Sequence, residues 1–472
     1  MPSGTVNSNF EISFVDSQLI DLMASLPIEI TGNGTGPSLE YNYRRKTRKS
    51  RRLFARAEKV FAGGVNHNAR FYEPYPLFIR KARGQHIWDA DGNRYTDYWM
   101  GHMALILGHS PEAVVGALRS QIVNGTHFGM GSEMSIELGE EVQRAVPCAE
   151  MMRFCNTGAE ATMYLVRLAR AFTGKKLVIK MAGGWHGYNT ELNKGVHSPF
   201  NRTESAGILE EEQSNLRNVR FNDFDAAEAE MKRARGDVAA IFLEPVLGAG
   251  GCIPAERDYL KGLRELADTH GALLCFDEVI TGFRLALGGA QERYGVMPDL
   301  GALGKIAGGG LPIGMVCGSR EILSLADPSR KTAKSVSMGG GTFSENPMTM
   351  AAGLATIRHL RKHPGIYAGL ERMGIKTRTE VDRTFAEAKI EAHTTGIGSL
   401  FLTHFGKMPR SAEDTENEDD VLTSRYSLYL ISSGIFVLPG HPSGISSSHT
   451  KEDIDTLVNR TKDFAEEAKG RK

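Results

Sequence analysis

The sequence predicts an α/β protein: a large domain on a mostly parallel, doubly wound sheet, and a smaller α+β domain assembled from both ends of the chain. Two observations carry that expectation. The short apolar runs KLVIK (176–180), AAIFL (239–243), ALLCF (272–276) and PIGMVCG (312–318) are separated by stretches long enough for helices, and strands alternating with helices mark βαβ units. On either side the pattern changes, to a hairpin-like segment at 76–99 and isolated strand-like runs beyond residue 390. At about 150 residues per domain, the 472 residues allow about three domains, or two large ones.

Taken in order, residues 1–48 read as an extension, Gly/Asn/Ser-punctuated and ending in TGNGTGPS before a basic run. Seven of the nine residues from Arg44 to Arg52 are basic. A nucleic-acid segment and a solvated first helix running on into LFARAEKVF both fit that run. Residues 49–110 and 348–472 together form the predicted small domain. In the first part, PLFIRKARGQHIWDADGNRYTDYW places alternating apolar residues around an Asp-Gly step, a hairpin signal. The second part holds a long helical stretch, the strand-like GIGSLFLTHF and GIFVLPG, and the terminal helix KEDIDTLVNRTKDFAEEAK. Residues 111–347 form the large domain.

Charge and composition narrow the function. Lys plus Arg and Asp plus Glu are both 56, which argues against coating nucleic acid, a task that needs a basic excess. A hydrophobic share of 41% is enough for a core. No run of 18 apolar residues suggests a membrane span. Five cysteines with no CxxC spacing argue against a disulfide framework or a zinc site. No signal pattern opens the sequence, and Glu11 and Asp16 do not suit a transit peptide, so a cytoplasmic location is expected. Glycine stands out: 53 residues, about 11% against a usual ~7%.

Five segments carry candidate chemistry. In FCNTGAEATMYLVRLARAFTG (154–174) a strand-like run ends at Asn156-Thr157-Gly158 and a helix follows, so backbone N–H groups and the helix dipole could hold a phosphate. An ordinary helix capped by Thr157 is the competing reading. In LLCFDEVITGFR (273–284) Asp277 and Glu278 end a buried strand, where ligands of open α/β sheets bind. A carboxylate there needs a cation, and the ring nitrogen of a cofactor suits better than a metal, for which no further ligand spacing exists. In LGALGKIAGGGLPIGMVCG (300–318) Lys305 sits in a glycine-rich bend before a strand. A poorly solvated lysine there is a candidate Schiff-base nucleophile, against the commoner fate of a surface lysine. Trp185, in the Gly-Gly-Trp-His-Gly segment after KLVIK, could stack on a flat ring or simply fill the core. The last segment, GGGTFSENP (339–347), offers the hydroxyl of Thr342.

Together these motifs resemble the class III aminotransferases of the pyridoxal phosphate (PLP) fold type I, in particular glutamate-1-semialdehyde aminomutase and the β-amino-acid (β-phenylalanine type) aminotransferases. The resemblance runs from about Ala57 to Phe464. AGGVN, WDADGNRYTDY, TGAEATM, FTG, EPV, FDEVITGFR, LGKIAGGGLPIG and GTFSENPMTMAAG occur in the family's order. It implies that Lys305 is the lysine of the internal aldimine and that Asp277 keeps the pyridine nitrogen protonated, which makes the cofactor an electron sink. Gly158 and Ala159 match the phosphate cup, Trp185 and Val279 the residues on the two ring faces. Thr342 matches the threonine that reaches the phosphate of the neighbouring subunit's cofactor, implying a homodimer with shared active sites. Arg70, in AGGVNHNAR, matches the arginine that clamps a substrate carboxylate.

Departures from the aminomutase pattern bear on the substrate. Gly101-His102 replaces a Ser-Trp pair ahead of LILGH, Ala249 replaces an asparagine in EPVLGAGG, and His441 falls near the place of a glutamate. His102 and His441 are therefore candidate substrate residues. The leading expectation is transfer of an amino group from a carboxylate-bearing amine, a β-amino acid among the candidates, to a keto acid. The aminomutase reaction is the alternative, and a PLP-fold binding protein without turnover is disfavoured by the presence of both Lys305 and Asp277. Neither a metal, a nucleic acid nor a membrane is expected as a partner. The glycine loops at 158, 183–184, 308–310 and 339–341 are expected where backbone approaches the cofactor.

Overall fold

The computed structural model describes residues 38–469, so most of the predicted extension, with Glu11 and Asp16, lies outside the described residues. Two helices open the described chain, Leu39–Lys46 and Arg48–Ala57, where the sequence suggested one. They break at Thr47, whose φ is −119° and whose hydroxyl donates to the Tyr43 carbonyl at 2.7 Å.

Strands β1 (Ile79–Arg83), β2 (His86–Asp89) and β3 (Arg94–Asp97) follow as an antiparallel meander. The Asp-Gly step makes the β2–β3 turn. Buried Asp89 secures it by accepting from the Asn93 amide at 2.8 Å and the Tyr95 hydroxyl at 2.9 Å.

The main sheet has seven strands: β4 (Met151–Cys155), β5 (Leu177–Met181), β6 (Leu216–Val219), β7 (Val238–Leu243), and, beyond the short ribbon of β8 (Val246–Leu247) and β9 (Ile253–Pro254), β10 (Leu273–Glu278), β11 (Leu300–Gly304) and β12 (Gly314–Gly318). Their spatial order is β4-β12-β11-β10-β7-β5-β6. Only β12 runs antiparallel to its neighbours. Both faces are covered, and the period-2 alternation divides the side chains between two cores. Ile241 and Leu243 of β7, with Leu274 and Phe276 of β10, pack on one side. Ala240 and Phe242, with Leu273 and Cys275, pack on the other, against Leu165 and Leu168 of the helix Gly158–Thr173.

The C-terminal third adds helices Pro347–Lys362 and Gly365–Glu387. Beyond them come β13 (His393–Thr395), β14 (Leu400–His404), β15 (Ile435–Phe436), β16 (Ser443–Gly444) and the final helix Lys451–Lys469. Strand β15 joins the first sheet beside β3, in parallel, with Ile435 opposite Thr96 and Phe436 opposite Asp97. This pairing unites the two ends of the chain. No helix among the described residues is long and apolar enough to cross a membrane.

Candidate active site

Strand register brings the chemistry together. In the β10–β11 pair Glu278 lies opposite Leu303, so Lys305 emerges two residues beyond, at the carboxyl edge. In the β7–β10 pair Leu243 lies opposite Phe276, which sets Glu244 beside Asp277 on neighbouring strands. Such strands are about 4.8 Å apart. The loop after β5 brings in Trp185 and His186, and the end of β4 leads through Thr157 into the helix Gly158–Thr173. All of these positions lie at the strand ends where open α/β sheets bind ligands.

Alternation along β10 separates its two acids. Asp277 continues the face of Leu273 and Cys275, toward the helix Gly158–Thr173; Glu278 continues the other. Glu278 is consumed structurally. It accepts from the Thr281 hydroxyl at 2.8 Å, the Gln291 side chain at 3.0 Å and the amide of Ala290 at the start of the helix Gly289–Tyr294. Asp277, 5% exposed, accepts from the Val279 amide at 3.0 Å and pairs with His186 Nδ1 at 2.8 Å. His186 is buried against Phe242, and its Nε2 has no partner. Burial holds this imidazole below its ordinary range, against the pull of Asp277. Glu244, 4% exposed, accepts from the amides of Trp185 at 2.9 Å and Gly248 at 3.1 Å. Burial, with the Asp277 charge second, pushes its carboxyl up to about 8.

Lys305 sits in the left-handed region, φ 45°, at the first residue of a tight turn. Its side chain makes no hydrogen bond to any described residue. Burial of the ammonium lowers its pKa, opposed by the charges of Asp277 and Glu244.

The helix Gly158–Thr173 opens with a reciprocal cap: the Glu160 amide donates to Thr157 Oγ1 at 3.1 Å, and the Thr157 amide donates to Glu160 Oε2 at 2.9 Å. The amides of Gly158 and Ala159 remain without a described partner. Val279 closes on this corner, because a Cβ on Gly158 would lie 2.8 Å from Val279 Cγ2. Thr342 is exposed on the loop after Gly341, and the Asn156 side chain holds that loop to the end of β4 by donating to the Gly340 carbonyl at 3.2 Å.

Arg70, His102 and His441 group within electrostatic reach of one another, and Lys305 acts on His102 and on His67; His67 and Trp99 were not singled out in the sequence. The Trp99 ring stacks on His102 at 4.4 Å and meets His441 edge-on at 5.7 Å; His67 meets His102 at 5.5 Å. Burial lowers the His102 pKa to about 2, and Lys305, His67, His441 and Arg70 add smaller repulsions. Arg70 itself is exposed, with no ion-pair partner among the described residues.

Met100, Gly101, His102 and Met103 all have positive φ, between 47° and 65°. Each non-glycine residue so placed costs about 1–2 kcal/mol, so the surroundings must over-determine the turn. Asp97 accepts from the Trp99 amide at 2.8 Å and the Met100 amide at 3.2 Å. The buried Arg284 guanidinium donates to the Met103 carbonyl and to Ser399 Oγ, the latter at 2.9 Å.

In two of the glycine loops one glycine serves protein packing. A Cβ on Gly309 would stand 2.4 Å from the Ala352 carbonyl, and one on Gly183 would stand 2.2 Å from Ala412 Cβ. There the missing side chain lets protein pack on protein.

The edge thus holds a buried acid lacking a full cationic partner, free amides at a helix N-terminus and a desolvated lysine. A flat group with a phosphate at one end and a basic ring nitrogen at the other meets each of these needs. Pyridoxal phosphate is a group of this kind, and a PLP-dependent enzyme of fold type I is the class that the fold and site fit. Among the described residues no cluster of His, Cys, Asp and Glu could hold a metal ion.

Comparison with known proteins narrows the class. Residues 67–399 match the aminotransferase class-III family. The chain is 39% identical over 409 residues to the glutamate-1-semialdehyde 2,1-aminomutase of Methanobrevibacter smithii, across 86% of this chain and 95% of that one. An omega-transaminase from Sphaerobacter thermophilus superposes with a TM-score of 0.84 at 32% identity, over 90% of this chain and 99% of that one. For a β-phenylalanine aminotransferase from Variovorax paradoxus the values are 0.83 and 31%, over 90% and 95%. The chain belongs to the class-III aminotransferase family.

Proposed function

We propose that this enzyme moves an amino group from a carboxylate-bearing amine, a β-amino acid among the candidates, to a keto acid, as a cytoplasmic homodimer with shared active sites. The observation that carries the reading is the exposed Arg70, without an ion-pair partner among the described residues, whose charge and that of Lys305 both act on His67 and His102. PLP, when bound, supplies an electron-withdrawing ring to the reacting carbon.

The chain supplies the rest. The Gly158 and Ala159 amides would hold the phosphate, and Asp277 would keep the ring nitrogen protonated, with His186 fixing the carboxylate's orientation. Trp185 and Val279 would cover the two ring faces. Lys305 Nζ, whose charged form burial disfavours, would accept the proton from the carbon that bears the amino group. Arg70 clamps the substrate carboxylate with its bidentate fork. His102 and His441, neutral, line the substrate side with Trp99 and exclude water. The exposed Thr342 hydroxyl, without a described partner, is free to serve the neighbouring subunit's phosphate. Five free, buried cysteines fit a reducing compartment.

A half-reaction screen tests this reading. Enzyme in its PLP form is mixed with amines that carry or lack a carboxylate, and the cofactor absorbance is followed. Arg70→Gln is expected to raise the half-saturating concentration of a carboxylate-bearing amine about 10–100-fold, the weight of a charged hydrogen bond, and to leave a carboxylate-free analogue unchanged. A carboxylate-bearing amine that reacts equally well with the variant contradicts the clamp. The aminomutase reading is favoured by the 39% identity to the M. smithii protein. Turnover that requires a keto-acid acceptor and releases a different amino acid rejects it.

A further inference from the structure

We propose that a second ligand site lies on the small-sheet side of the molecule, at the start of β3, and that it takes a compact dianion of the phosphate-ester class. A cavity of about 440 Å³ opens there, lined among others by Lys46, Asn93, Arg94, Ser432, Gly434 and Arg460. Its size falls within the range of small-molecule sites, about 300–1,000 Å³. None of its lining residues belongs to the active site.

Three features point to an anion. Arg94 is exposed, and its guanidinium makes no hydrogen bond or ion pair with a described residue. Lys46 Nζ spends one N–H on the Ser432 carbonyl at 2.9 Å and keeps two. Ser432 Oγ is buried without a partner among the described residues, although a buried hydroxyl ordinarily finds one. Arg460 is already matched, donating to Asp463 at 3.0 Å. Two uncompensated positive charges therefore face the cavity, and no carboxylate is among its lining residues. Arginine's planar fork suits two phosphate oxygens, lysine supplies a point charge, and the orphaned hydroxyl can donate to a third oxygen. A dianion balances the site.

This site also gives the basic run at residues 44–52 a partial use: Lys46 belongs to it. Arg44, by contrast, is tied to Glu40 at 2.6 Å and lies over the Tyr75 ring.

Calorimetric titration of the PLP-loaded enzyme at pH 8 tests the assignment, with glycerol phosphate as the phosphate probe and succinate as the carboxylate probe. Saturable binding of one glycerol phosphate per chain is expected, weakened at least tenfold by Arg94→Gln, weakened to a lesser degree by Ser432→Ala, and unchanged by Arg70→Gln. Arg94→Gln is expected to keep the amine half-reaction, which shows that the variant is folded. No saturable binding, or binding untouched by Arg94→Gln, overturns the site. Loss with Arg70→Gln would place the anion in the active site and overturn it equally. Succinate binding tighter than glycerol phosphate overturns the phosphate class.

Discussion

Asp277 and Glu278 are adjacent carboxylates with opposite fates, and strand geometry alone divides them. Glu278 is saturated by donors from the following helix. Asp277 has only a histidine and one amide, so it alone retains capacity for a ring cation. Asp277→Asn keeps the shape and removes the charge. It is expected to slow the amine half-reaction about 10²–10³-fold, the usual weight of one placed electrostatic stabiliser, measured by stopped-flow absorbance at saturating amine. A loss below tenfold would mean that the charge is not used. Lys305 and Asp277 were singled out in the sequence as candidates because each sits in a compact motif. The parts played by Glu244 and His186 were not, since they depend on which residue faces which across neighbouring strands: Leu243 opposite Phe276, and a loop 91 residues away returning His186 to Asp277.

At the scale of elements, the alternation of apolar runs and helical stretches was enough to expect the sheet, because a strand buried on both faces leaves a continuous apolar signature. The left-handed turn at 100–103 left no such trace. Only one of its residues is glycine, and its supports, Asp97 and Arg284, are far apart in sequence. Strand β5 hides a second long-range arrangement. Lys180 is fully buried and donates to the carbonyls of Met181 at 3.2 Å and Lys194 at 2.9 Å, pinning the loop that carries Trp185. Burial lowers its pKa from 10.5 to about 7, with Glu244 and Glu204 pulling the other way. Between about pH 7 and 10.5 the unfolded chain holds a proton at this lysine that the folded chain has released. Stability therefore rises with pH through that window, by up to ~1.4 kcal/mol per pH unit. Below it both states are protonated and the penalty is complete. Denaturant melts across pH 7–10 are expected to show a shallower rise for Lys180→Met than for the parent chain. Parallel curves would contradict the assignment.

Around the loop that carries Thr342, apolar side chains are left uncovered among the described residues. Phe343 is 60% exposed and packs on His127 at 5.1 Å, and Met130 is 76% exposed nearby in sequence. Exposed apolar surface, where it is contiguous, marks association sites. The proposed homodimer predicts sedimentation at twice the 51.6 kDa chain mass. The double variant Phe343→Asp/Met130→Asp is expected to shift toward monomer and to retain PLP poorly. A parent enzyme that sediments as a monomer yet turns over fully would remove the shared-site reading. The zero net charge was informative at this scale only. It spoke against a general polyanion coat and was silent on local charge at Asp277, Arg70 or Arg94.

The central claim is that Lys305 is the residue that engages PLP, and reductive trapping tests it most directly. Holoenzyme is treated with borohydride, digested and analysed by mass spectrometry. The account predicts a single pyridoxyl-modified peptide, carrying the label on Lys305, and none from Lys305→Ala. Label on Lys180, the other buried lysine with a lowered pKa, or no label at all, would contradict it.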